Sequence, residues 1–137
     1  AAANIKAFAT QNGGQQLVVN SDFDDAIPTR QLDGAQLTMA FFNIGKNAAE
    51  ALIEHGVENP EISITSAFHD NQMTVVMADN GKGMPEEIAN NLFVAFKTKK
   101  QGGTGLGLTI TKKIIDVHNG RIKCETGPNG TSFTISL

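Results

Sequence analysis

Apolar positions along the chain follow two periods, and the switches between them divide it into elements. "QLVVNSDF" (16–23) reads as a strand. The turn-forming "DDAIPTRQLDG" (24–34) leads into a helix in which Leu37, Phe41, Ile44, Ala48 and Leu52 recur at helical spacing. His55 and Gly56 stop that helix. "EISITSAFH" and "QMTVVMAD" alternate with a period of two about the turn residues Asp70 and Asn71, which predicts a hairpin. A second helix is expected at "MPEEI", with Pro85 in the first helical position and Glu86 and Glu87 at the positive end of the dipole. The third runs from about Leu106 to Val117, with Leu106, Ile110, Ile114 and Val117 predicted on one face. "GRIKCET" and "TSFTISL" form a last hairpin around Asn129 and Gly130. The half-alternating strands predict an α/β architecture, a two-layer sandwich with a mixed β-sheet covered on one face by about three helices.

Composition narrows the class of molecule. A chain of 137 residues that is 40% hydrophobic fits a single domain, residues 1–137, with a core of useful size. The opening "AAANIKAFATQ" reads as the tail of a helix cut from something longer, over residues 1–12. A net charge of −3 argues against a nucleic-acid partner. No apolar run approaches the roughly 18 residues of a membrane span, so no direct membrane contact is expected. The single cysteine, Cys124, excludes an internal disulfide and, without clustered histidines, a zinc site. A reducing cytoplasm suits it, and anchoring of the parent protein in the inner membrane is compatible with that reading.

Glycine is where chemistry enters. "GGTGLGLTI" (102–110) opens a helix with residues that surrender the most backbone entropy, so some close approach must require them. A dinucleotide fingerprint fails from Gly103, where its third glycine would fall on Leu108, and from Gly105, where it would fall on Ile110. A Walker loop fails because Gly81 and Lys82 are followed by Gly83. There remain Gly103, Gly105 and Gly107 at a helix start, where free N–H groups and a partial positive charge suit a phosphate; a plain flexible loop is the competing reading. In "DNGKGM" (79–84), Asp79 shares strand parity with Met73, Val75 and Met77 and so points to the apolar side. It is either a turn aspartate or an acceptor for a ligand amine such as that of adenine. In "FFNIGKNAAEAL" (41–52), Asn43 and Asn47 stack one helical turn apart, and an amide oxygen is a hard ligand suited to magnesium on a triphosphate.

Taken in order, "NIGKNAAEA", "DNGKGM", "LFVAFKTKK" and "GTGLGL" closely resemble the N, G1, F and G2 boxes of the ATP-binding catalytic domain of sensor histidine kinases, over about residues 33–137. The resemblance implies the Bergerat fold, with ATP held between a helix layer and a lid. It implies that Asp79 accepts from the adenine amine, that Gly81 and Gly83 let the base approach, and that Asn47 holds magnesium. Asn43 would support Asn47 or touch phosphate. Gly103, Gly105 and Gly107 would wrap the phosphates, with Thr104, Leu106 and Leu108 in the same loop. Phe96, Thr98 and Lys100 would complete the nucleotide contacts, with Lys100 joining Asn43 and Asn47 in catalysis. Thr131, in parity with Phe133 and Ile135, would help close the adenine pocket. The implied cofactors are ATP and Mg2+.

Two features qualify the likeness. Ala95 stands where related kinases often carry proline, which puts in doubt the lid anchor made by Phe93 and Phe96. The lid, roughly 84–102, is short and carries Lys97, Lys99 and Lys100, either a solvated cluster or a charge for the γ-phosphate. The spacing of "FKTKKQGGTGLGL" resembles the nitrogen-regulatory type.

Kinase and hydrolase must be separated by chemistry, because the same superfold serves DNA gyrase, heat-shock chaperones and mismatch-repair ATPases. Those ATPases place a glutamate four residues before the magnesium asparagine, where this chain has Asn43. An amide takes no proton at neutral pH, and Glu50, one turn beyond Asn47, is either a stand-in base or, as the preferred reading, an ordinary helix-surface glutamate. His55, His69 and His118 each have a structural explanation at a helix end or turn, so the phosphoacceptor is expected elsewhere. The resemblance therefore implies a homodimeric partner domain bearing the acceptor histidine, and the receiver domain of a response regulator. A nucleotide-binding pseudokinase and an ATPase are the competing readings.

Overall fold

The computed structural model describes residues 1–14, 16–94 and 106–137. Its elements are α1 (Ala2–Gln11), β1 (Val18–Asp22), α2 (Gly34–Glu54), β2 (Glu61–His69), β3 (Gln72–Asp79), α3 (Glu86–Asn90), α4 (Gly107–Val117), β4 (Arg121–Gly127) and β5 (Gly130–Ser136). The strands form one sheet in the order β1-β2-β3-β5-β4, with β1 parallel to β2 and the remaining pairs antiparallel.

Strand register decides which residues face the helices. Ile64, Met77, Phe133 and Cys124 are successive cross-strand partners, and so are Ser66, Val75, Ile135 and Ile122. Side chains alternate with a period of two, so these rows share one face, and Ile64, Val75, Met77, Phe133 and Ile135 are buried there. Against them lie Leu37, Ala40, Ile44, Ala49 and Leu52 of α2, with Ile114 and Ile115 of α4. The opposite face carries Thr74, Thr134, Lys123 and Arg121. The two-layer α/β sandwich expected from the sequence is therefore present. α1 is part of it, since Ile5 and Ala9 are fully buried in the core.

Three expectations need correction. Ile110 and Val117 are 42% and 67% exposed, so they do not share the buried face of Ile114. Thr111 takes their place because α4 meets α2 through a polar contact. Asn43 Nδ2 donates to the Gly107 carbonyl at 3.4 Å and lies 3.5 Å from Thr111 Oγ1, which itself bonds the Gly107 carbonyl at 3.0 Å. That contact rotates the helix by about one residue relative to a purely apolar stripe. Pro85 is the residue before α3 rather than its first, with ψ at 148° and so still extended. The last turn is centred on Pro128 and Asn129, because Gly127 pairs with Gly130.

Gly130 has φ +135°, and a Cβ there would overlap the Asp79 carbonyl oxygen, so the turn packs backbone to backbone against the end of β3. Replacing Gly130 with alanine is expected to lower stability by about 2–4 kcal/mol through backbone strain and overpacking. Urea unfolding of the two chains measures it.

Candidate nucleotide site

The C-terminal end of β3 brings together the carboxylate, the loop and the hairpin that form the site. Asp79 pairs with Ile62 on one side and Thr131 on the other, at the end of the helix-facing column that contains Val75 and Met77. It is half-buried, and burial pushes its carboxyl above the usual carboxylate range, opposed by hydrogen bonds from the backbone of Gly81 and Thr131. Those bonds, at 2.9 and 3.4 Å, both end on Oδ1. Oδ2 thus keeps acceptor capacity for a ligand donor. Gly81 is required by the carboxylate itself, since a Cβ there would stand 2.9 Å from Oδ1 and 3.3 Å from Leu52. Gly83 is required by the fold as well. Its φ is +72°, and the space of its missing Cβ is occupied by the Gly127 carbonyl.

Thr131 is 6% exposed, and its hydroxyl lies 3.0 Å from that of Thr126. Sequence reasoning missed Thr126 and the neighbouring Cys124, which lies opposite Phe133. Burial, with the charges of Asp79 and Glu125, raises the Cys124 thiol to about 11, so it is inert as a nucleophile. Strand parity along "GRIKCET" would have found both once the hairpin register was known.

The second half of the site lies where α2 meets α4. Asn47 Nδ2 donates to the backbone carbonyl of Asn43 at 2.9 Å, which fixes the amide's orientation. Asn43 thus supports Asn47 through its main chain while its side chain holds the first turn of α4. No side chain among the described residues caps α4 at Leu106, and no acidic residue occupies its first turn, so its N-terminal N–H groups suit an anion. A Cβ at Gly107 would meet nothing within 4 Å, so no described protein atom explains that glycine. Leu108 packs partly against the core, and Thr109 Oγ1 donates to the Phe93 carbonyl at 3.1 Å, joining α4 to the stretch after α3.

Phe96, Thr98, Lys100, Gly103, Thr104 and Gly105, with Ala95, Lys97 and Lys99, lie outside the described residues. Glu50 forms an ion pair with Lys46 at 3.8 Å, and Lys46 lies 5.5 Å from the Phe8 ring centre on α1. His118 joins two helices: its Nδ1 lies 2.8 Å from the Ile114 carbonyl, and Nε2 accepts from the Asp33 N–H at 3.1 Å. Among the described residues, no three His, Cys, Asp or Glu side chains gather as a metal site, and no helix is long and apolar enough to cross a membrane. A magnesium ion that relies on substrate phosphates needs only one or two protein oxygens, and the Asn47 amide fits that demand.

Comparisons with known proteins agree with this architecture. A sensory histidine kinase/phosphatase NtrB from Vibrio alginolyticus is 37% identical over 145 residues, covering 97% of this chain and 40% of its own. The NtrB of Rhodobacter capsulatus is 35% identical over 133 residues, covering 90% of this chain and 38% of its own. The chain thus spans about 40% of the length of these curated relatives. Among solved structures, the catalytic domain of histidine kinase ThkA superposes with a TM-score of 0.77 at 29% identity, over 98% of this chain and 90% of that one. The family described as histidine kinase-, DNA gyrase B-, and HSP90-like ATPase matches residues 32–137, which is most of the chain, and the chain belongs to that family.

Proposed function

We propose that the chain binds magnesium–ATP between Asp79 and the start of α4 and donates the γ-phosphoryl group to a histidine of a partner dimerisation domain, for relay to a response-regulator receiver domain. Its relatives are sensor histidine kinases, which supports this reading over the gyrase-like branch of the family. The observation that carries it is the Asp79 carboxylate, half-buried, with Oδ1 engaged by two backbone N–H groups and Oδ2 available to a ligand. An adenine amine satisfies that oxygen, whereas a guanine O6 would repel it.

The residues divide the work between the two ends of the nucleotide. Asp79 and Thr131 orient the base, and the N-terminus of α4 receives phosphate oxygens. Asn47 would hold magnesium through its amide oxygen, and the ion would neutralise charge on the phosphates. In the transfer, a histidine nitrogen bonds to the γ-phosphorus, the bond to the bridging oxygen breaks, and ADP leaves with those electrons. Asn43 occupies the position of a water-activating base but cannot accept a proton, so it positions α4 and leaves hydrolysis without a base there.

Calorimetric titration of the chain tests the binding half of this reading. ATP should bind, and GTP should bind at least about tenfold more weakly. Equal affinity for the two would overturn the adenine assignment.

A further inference from the structure

Four strands each contribute one residue to a transverse row at the ligand end of the sheet. Ile62, Asp79, Thr131 and Thr126 are successive register partners on the helix-facing side. Three of the four are polar, and they are bonded in series. The Thr131 N–H donates to Asp79 Oδ1 at 3.4 Å, and the Thr131 and Thr126 hydroxyls lie 3.0 Å apart. Thr126 Oγ1 then accepts from the Met84 N–H at 2.9 Å. The row therefore leaves the sheet and ends on the backbone just beyond Gly83.

The chain beside this row has little room to adjust. Gly83 is held at φ +72° against the Gly127 carbonyl, and a Cβ there would also approach Thr126 Oγ1 to 2.9 Å. A threonine hydroxyl has one proton and two lone pairs. Thr126 accepts from Met84, and either hydroxyl can donate in the Thr126–Thr131 pair; with Thr126 as the donor, the Thr131 proton is left for an occupant of the space against Asp79. A ligand that accepts it polarises the hydroxyl pair and strengthens the bond to Met84.

We propose that Thr126 is a positioning residue that couples occupation of the Asp79 pocket to the backbone at Met84, where the chain enters the stretch between its two glycine clusters. This inference rests on the nucleotide reading of the site.

Residue-resolved amide exchange on the full chain, with and without saturating ADP, tests it. In the wild type, exchange at Gly81 and Met84 should slow together. In Thr126→Val, which keeps the shape and loses the hydroxyl, Gly81 should still respond while Met84 does not, and ADP affinity should fall about threefold to tenfold. Thr126→Ser should restore both. Thr126→Val that keeps ADP-dependent protection at Met84, or Thr126→Ser that behaves like valine, would overturn the coupling. If valine unfolds the chain, the wild type decides alone: ADP that protects Gly81 and leaves Met84 unchanged overturns it. A wild type that binds no ADP overturns the nucleotide reading and this inference with it.

Discussion

Replacing Asp79 with asparagine is expected to weaken ATP binding about tenfold to a hundredfold, the value of a hydrogen bond to a charged acceptor. The amide oxygen can keep the bonds from Gly81 and Thr131 that end on Oδ1. The amide nitrogen then replaces Oδ2 and confronts the adenine amine with a second donor. The same substitution should raise the stability of the ligand-free chain near neutral pH, because it removes a charge that burial disfavours. The sign follows from the direction of the shift. Folding raises the Asp79 pKa, so the buried charge costs stability above that raised value, and the cost is relieved as pH falls through it. The stability advantage of asparagine should therefore shrink on acidification. Calorimetric titration and thermal unfolding across pH check the two halves, and a variant with lower stability and unchanged ATP affinity would remove Asp79 from the site.

Asn47→Ala is expected to act on the phosphates rather than the base. Losing an oxygen ligand to the metal should reduce phosphoryl transfer by about a hundredfold or more, the scale of removing a group that stabilises transition-state charge. ADP binding without magnesium should change by less than about threefold. Alanine also removes the bond to the Asn43 carbonyl, so a binding loss as large without the metal as with it would assign Asn47 to holding α2 instead. Titration of ADP with and without magnesium, beside the transfer assay, separates the two roles.

The strands made half of this site legible in the sequence. A period of two is rigid, so counting back from Asp79 to Val75, and forward from Thr131 to Ile135, placed both residues on the buried face. Two other features followed from tertiary contacts that periodicity does not encode. The rotation of α4 is set by the polar contact between Asn43 and Thr111, where an apolar stripe would have put Ile110 inward. Thr126 was hidden by the turn. Centring the last hairpin on Asn129 and Gly130 would pair Thr131 with Pro128, whereas the observed turn pairs it with Thr126. The packing of Gly83 against the Gly127 carbonyl is likewise a tertiary contact that the sequence does not encode.

Transfer of label from γ-labelled ATP tests the central claim most directly. On the proposed reading, Asn47 and the start of α4 would hold magnesium and phosphate while the histidine nucleophile comes from a partner domain, and transfer depends mainly on such positioning. His118, whose two ring nitrogens face Ile114 and Asp33, is committed to joining α4 and α2. Incubated alone, the chain should neither label itself nor turn over ATP at an appreciable rate. With a histidine-bearing dimerisation domain of a sensor histidine kinase of the NtrB type added, label should appear on that domain. Steady ATP turnover by the chain alone, with the added domain unlabelled, would contradict the account.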